Sequence, residues 1–387
     1  MLKGNLFRSS TILAAVMLMV SGLMWGPLSS AGASVKTTTG HGTTISTATS
    51  RASAACVSSA NSALSKFEKP LKYPTPAVLP NPKRLKSKLL YYIPVELNAA
   101  FFPPFDSGLA KAVSFAHGRM ITFNGEVSAI TENQGMLQAI ARKASAILLQ
   151  AVSPSLIQTN LKTALSKGIK VVDGSNGTFS DPLNGLYAHI TPNLAQIGMV
   201  EADEALVATN CQLTAGIVTE SNYPYAVDIT TGVAAQITKL CPSCSVFSAD
   251  VNAATFATDT GPAVSSLMVA HPTVNAIIAP NDQLIDYIAP ELSSLGDSQA
   301  VKTFGSNAEP ANMTGVENGT QAGDVFYGSI VYSGLEMAYQ AYRATLGLRS
   351  TAAALPVEAV TASDVNKVQA EIKSTSFIAS FRTALTK

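Results

Sequence analysis

From Leu89 onward, short apolar runs alternate with longer stretches in which apolar positions recur at helical spacing. LLYYIPVELN (Leu89–Asn98), MITFNGEV (Met120–Val127), SAILLQAV (Ser145–Val152) and IKVVDGSN (Ile169–Asn176) read as strands. Between them, PFDSGLAKAVSFAHGR, ENQGMLQAIARKA and SPSLIQTNLKTALSKG read as helices, the last with Ser153 as N-cap and Gly168 as its stop. A second series follows. NLAQIGMVEADEALVATN, AVDITTGVAAQITKL, TGPAVSSLMVAHP and LIDYIAPELSSLG are the expected helices. QLTAGIVTES, CSVFSADV, TVNAIIAPND and AVKTFGSNA are the expected strands. Continuous apolar strands suit parallel sheets covered on both faces. Two βα series predict an α/β protein with two doubly wound parallel-sheet lobes.

The residues ahead of Leu89 have a different texture. Lys3 and Arg8, the apolar run Thr11–Val20 and the small residues AGA (Ala31–Ala33) form the pattern of an export signal over residues 1–33. Retention of this segment as an anchor is the alternative. Ser34–Ala55 is rich in Ser, Thr, Ala and Gly and is expected to be a flexible tether. Cys56–Phe67 suggests a short helix, and the proline-punctuated Glu68–Lys86 an extended run. Residues 34–87 together form an N-terminal Ser/Thr/Pro-rich segment.

Length and charge narrow the classes. With 387 residues the chain exceeds one ordinary core. A hydrophobic content of 47% against 13% charged residues marks a folded globule. The net charge of +1 offers no footprint for nucleic acid. Four cysteines in an exported protein allow three pairings. Cys241 and Cys244 are near enough in sequence to pair locally, which leaves Cys56 with Cys211. CPSC ends a helix and opens a strand, the wrong end for a redox-active cysteine, so a structural bond is expected. One such pair and four scattered histidines do not make a zinc site. No G-x-S-x-G elbow, P-loop or G-x-G-x-x-G is present, and no catalytic residue, metal or cofactor is assigned.

In doubly wound sheets a ligand binds beyond the carboxyl ends of the strands. The strand-end polar residues are Asn98, Gln150, Asp173, Glu220, Asp282 and Asn307. Of these, Asn98, Asp173, Asp282 and Asn307 are assigned to a ligand, since amides and carboxylates suit hydroxyl groups. Phe101 and Phe102 follow the first strand end and offer faces for a sugar ring. Tyr223 and Tyr225 are placed on the opposite wall.

The order of these blocks over Leu89–Gly347 resembles the type I periplasmic binding proteins, the ribose- and galactose-binding class of ABC-transporter receptors. ELNAAFFPPFDSGLAKA, GIKVVDGSN, AHPTVNAIIAPND, TFGSNAEP and GSIVYSGLEMAYQAYRATLG carry the resemblance. It implies lobes of residues 88–192 plus 308–350 and 193–307 plus 351–387, joined by three crossovers near Asn193, Asn307 and beyond Gly347. It also implies an exported monomer, not an enzyme, that captures a sugar-like ligand and presents it to a membrane permease. A ligand-sensing receptor subunit of the same fold is the alternative. The family's sugar binders often place an arginine after the strand-four aspartate; here Gly174 follows Asp173, and NYPYAVD also lacks arginine. The pocket is therefore expected to be more aromatic and less charged.

Overall fold

The computed structural model describes residues 42–387. The export signal expected over residues 1–33 lies outside the described residues. From Gly42 the chain is helical, and α1 spans Gly42–Leu64. This corrects the flexible tether for the described part of Ser34–Ala55. Cys56, Ala60 and Leu64 recur every fourth residue and are buried against Ala202, Ala205 and Leu206 or against Leu194 and Ile197. Packing of one helical face, rather than Ser/Thr propensity, holds the helix. The Cys56–Cys211 disulfide ties it down, and Cys241–Cys244 is the second bond.

The extended segment after α1 lies on the first lobe. The Tyr339 hydroxyl donates to the Ala77 carbonyl at 2.7 Å, and the Ser329 amide donates to the Tyr73 hydroxyl at 2.6 Å. The first lobe then follows in order: β1 (Leu89–Pro94), α2 (Phe102–Phe115), β2 (Arg119–Thr122), α3 (Ala129–Ala141), β3 (Ala146–Gln150), α4 (Gln158–Ser166), β4 (Lys170–Gly174) and β5 (Ala188–Ile190). These strands pair in the order β2-β1-β3-β4-β5, all parallel.

The second lobe contains α5 (Leu194–Ala208), β6 (Thr214–Thr219), α6 (Pro224–Leu240), β7 (Ser245–Asp250), α7 (Phe256–Ala270), β8 (Ala276–Ile278), α8 (Asp282–Leu295), β9 (Lys302–Ser306), α9 (Pro310–Asn318) and β10 (Gly323–Phe326). Next come α10 (Ile330–Thr345), β11 (Glu358–Val360), α11 (Val365–Lys373) and α12 (Ser376–Thr386). The second sheet runs β11-β10-β9-β8-β6-β7, and only β11 is antiparallel. The two doubly wound lobes agree with the alternation of apolar runs. The short strands β5, β10 and β11 had no long apolar run to announce them.

Two lobe boundaries differ from the sequence expectation. Gly323 pairs with Phe304, so residues 308–326 stay with the second sheet instead of entering the first lobe. At the other end, Phe381, Ala384 and Leu385 of α12 join the core of the first lobe, so the last helix leaves the second. Connections between the lobes run through residues 191–193, 327–329 and 346–357. Two of these touch, where the Leu355 amide donates to the Thr191 carbonyl at 3.2 Å. Residues 65–72 and Ser374–Thr375 also pass between the lobes, which makes five passages.

Each lobe sets a helix pair in the same way. Gly108 of α2 faces the Val331 carbonyl and Gly334 of α10 faces the Phe105 carbonyl, with no room for a Cβ on either. Gly198 of α5 and Gly232 of α6 repeat the arrangement against Ile229 and Ala195. These crossings fix α2, α5 and α6, whose N-terminal ends open onto the same cavity.

Candidate functional site

In a doubly wound sheet the crevice forms where the strand order reverses. Here that point lies between β1 and β3 in the first lobe and between β6 and β8 in the second. The residues leaving these four strands include Glu96, Gln150, Glu220 and Asn281, and all four line one cavity. Each lobe thus contributes a carboxylate and an amide at its switch point. Phe101, Phe102, Ser175, Tyr223, Tyr225, Gln283, Asn307, Glu309 and Tyr327 complete the polar and aromatic wall.

The wall of the second lobe is bound to itself. Asn281 is the N-cap of α8, and its Oδ1 accepts from the Leu284 amide at 2.9 Å. Its Nδ2 then reaches back to donate to Glu220 at 2.9 Å and to the Tyr225 hydroxyl. Burial pushes the Glu220 carboxyl up to about 7 against the pull of the Asn281 donor, and the Glu96 charge raises it further. The Tyr223 hydroxyl is pushed well up, first by burial and then by Glu96, Glu220 and Glu132. Lower on this wall, Tyr327 donates to Asn307, whose amide donates to Glu309 at 3.4 Å. Burial raises Glu309 to about 7.

The wall of the first lobe has fewer internal partners. Gln150 donates from Nε2 to the Ser175 hydroxyl at 2.6 Å, but its buried Oε1 finds no donor. Burial alone raises Glu96, and no donor offsets it. The Phe101 and Phe102 rings meet edge to face with centroids 5.4 Å apart. Ala151 (φ 57°), Ser175 (φ 54°) and Asn307 (φ 122°) leave their strands in a left-handed conformation. For a side chain other than glycine this costs of order 1 kcal/mol, and such strain concentrates at ligand sites.

Phe101, Phe102, Tyr223, Tyr225 and Asn307 therefore line the cavity as the sequence places them, although Phe102 and Tyr223 are also core residues. Asn98, Asp173 and Asp282 do not. The chain leaves β1 at Pro94 and turns, so Glu96 meets the cavity and Asn98 is exposed. Asp173 is buried beside Asn176 and His189, at 3.1 and 3.3 Å, and lines a separate surface pocket. Asp282 is the first helical residue of α8 and turns inward. It accepts from the Glu309 amide at 2.7 Å, and burial, with Asp324 beside it, pushes its carboxyl well above the usual carboxylate range. Its role is to brace the loop that carries Glu309, while the preceding Asn281 faces the cavity.

The sequence missed Glu96, Glu309, Asn281 and Tyr327 and left Gln150 and Glu220 unassigned although both end strands. Their signal was topological: each lies at or just beyond the carboxyl end of a strand, and all but Tyr327 at or beside a switch point. The wall is aromatic and acidic: Glu96, Glu220 and Glu309 line the cavity, and among the described residues no lysine, arginine or histidine does.

A family model described as periplasmic binding protein domain matches residues 90–350. Three solved structures have a similar fold. An ABC transporter solute-binding protein from Bacillus halodurans, with bound myo-inositol, aligns at a TM-score of 0.67 and 18% identity over 74% of this chain and 99% of that one. A solute-binding protein from Agrobacterium vitis, with bound allitol, aligns at 0.66 and 18% over 74% and 99%. A Mycobacterium smegmatis structure in complex with β-D-fucofuranose aligns at 0.66 and 14% over 76% and 98%. At these identities the likeness is one of fold. A search of the curated proteins found no match.

Proposed function

The chain belongs to the periplasmic binding protein domain family, and we propose that it is an exported solute-binding protein that captures a small hydroxylated ligand between its lobes. It hands that ligand to an ABC transporter permease. The observation that carries the reading is the shared cavity, onto which both switch points and the starts of α2 and α6 converge. Aromatic faces suit the apolar faces of a sugar or polyol, and the amides and carboxylates suit its hydroxyls. The similar structures with bound myo-inositol, allitol and a furanose point to the same ligand class.

No covalent step is needed. A ligand touching both lobes stabilises the form in which they meet, and a permease can read that form. Micromolar binding requires about 8 kcal/mol, within reach of a stacked ring and several charge-assisted hydrogen bonds. Among the described residues no helix is long and apolar enough to cross a membrane. A thermal-shift screen of sugars and polyols tests the reading. At least one compound should give a saturable stabilisation that Phe101→Ala and Asn281→Ala each weaken. Hits indifferent to both substitutions would place the ligand elsewhere.

A further inference from the structure

Granted that the cavity is the ligand site, we propose that its ligand carries a protonated amine on a hydroxylated frame, held between Glu96 of the first lobe and Glu220 of the second. Both carboxylates line the cavity, and the charge of one is felt by the other across it. Neither has a cationic partner. The ion pairs among the described residues are His189–Asp173 and Lys367–Glu358, and neither pair lines the cavity.

The second observation is Gln150. It is 1% exposed and lines the same cavity, and its Oε1, packed against Gly174 and Met337, has no hydrogen-bond partner among the described residues. Such a buried acceptor costs free energy until a donor arrives. An ammonium group has three N–H donors and no acceptor. It matches the two carboxylates, and a turn of the Gln150 amide would bring its oxygen to the same group, while Tyr225 and Phe101 line the cavity beside it.

A neutral polyol fits this wall less well. Its hydroxyls can donate to both carboxylates, but where both are ionised they leave two like charges lining one cavity. That repulsion opposes any movement that brings the lobes together. A cation between them turns the repulsion into attraction and joins the lobes through one atom. The arrangement thus selects for charge by penalising the neutral analogue.

Calorimetric titration with matched pairs tests this: glucosamine against glucose, 1-amino-1-deoxysorbitol against sorbitol, and an aminodeoxyinositol against myo-inositol. Choline serves as an amine outside the sugar class. In at least one pair the amine should bind about tenfold or more tightly than its neutral partner. Glu96→Gln and Glu220→Gln should each remove most of that preference, and the double variant should abolish or reverse it. Equal or tighter binding of the neutral member in every pair overturns the amine and leaves the polyol cleft standing. A preference that survives the double variant overturns the assignment to these two carboxylates. Choline binding without any sugar amine keeps the charge and sinks the hydroxylated frame, and binding by none of the probes sinks both readings.

Discussion

Glu220 and Asn281, at the switch point of the second lobe, are bonded to each other at 2.9 Å. Their counterparts in the first lobe, Glu96 and Gln150, carry acceptors without donors among the described residues: burial raises Glu96 with nothing to offset it, and the Gln150 Oε1 is buried against Gly174 and Met337. Both lobes share one strand order and one device for crossing helices, yet one wall is prearranged and the other is incomplete. The difference suggests a sequence of events. A ligand meets the second lobe at little ordering cost, and the first lobe then gains the partners it lacks.

The largest expected effect comes from cutting the brace behind the prearranged wall. Asp282→Ala leaves the Glu309 amide and Asp324 without their partner and should cost about 2–4 kcal/mol in urea unfolding. Asp282→Asn keeps one donor and one acceptor in place and should stay within about 1 kcal/mol of wild type. Equal losses for both would mean that the site needs the acid itself.

A smaller effect contrasts the two amides directly. Asn281→Ala removes a helix cap as well as a cavity donor and should cost about 1–2 kcal/mol of stability together with ligand affinity. Gln150→Met keeps the volume and deletes an acceptor that is already unpartnered together with the single donor to the Ser175 hydroxyl. It should cost less than about 1 kcal/mol of stability while still weakening binding about tenfold. If both variants lose stability equally, the two walls are equally prearranged and the contrast fails.

The smallest expected effect is on the pH dependence of unfolding. Glu220 and Glu309 in the second wall stand at about 7, as does Glu132 beside the first, each raised by burial. Their folded values exceed their unfolded ones, so the folded state holds more protons. Stability therefore falls as pH rises from the ordinary carboxylate range through about 7, and it flattens above that. His189, raised by its bond to Asp173, acts in the same direction: its contribution is present below its ordinary value of 6.5 and is lost as pH rises past its folded value. The melting temperature should rise by a few degrees between pH 8 and 5.5. Glu220→Gln with Glu309→Gln should flatten this profile more than Glu132→Gln does.

Much of the fold could be read from the sequence because buried parallel strands are continuous apolar runs. The site was only partly legible. The run AIIA before Pro280 located the strand end, but which of Asn281 and Asp282 faces the cavity depends on the first turn of α8. Asn281 caps that turn from outside, and Asp282, one residue on, is inside. Glu96 was hidden because the apolar pattern continues through Val95 and Leu97 after the strand has ended at Pro94. Tyr327 was hidden because β10 is four residues long and includes a glycine and an aspartate. Of helix α1 only the part from Cys56 was expected; the turns before it read as a tether because their Ser/Thr-rich sequence carries no apolar stripe.

A crystal structure with the strongest thermal-shift ligand tests the central claim most directly. The account predicts one molecule in the cavity, touching Glu96 or Gln150 from the first lobe and Glu220 or Asn281 from the second at hydrogen-bonding distance. A ligand seated against Asp173 and His189 instead, or touching a single lobe, would contradict it.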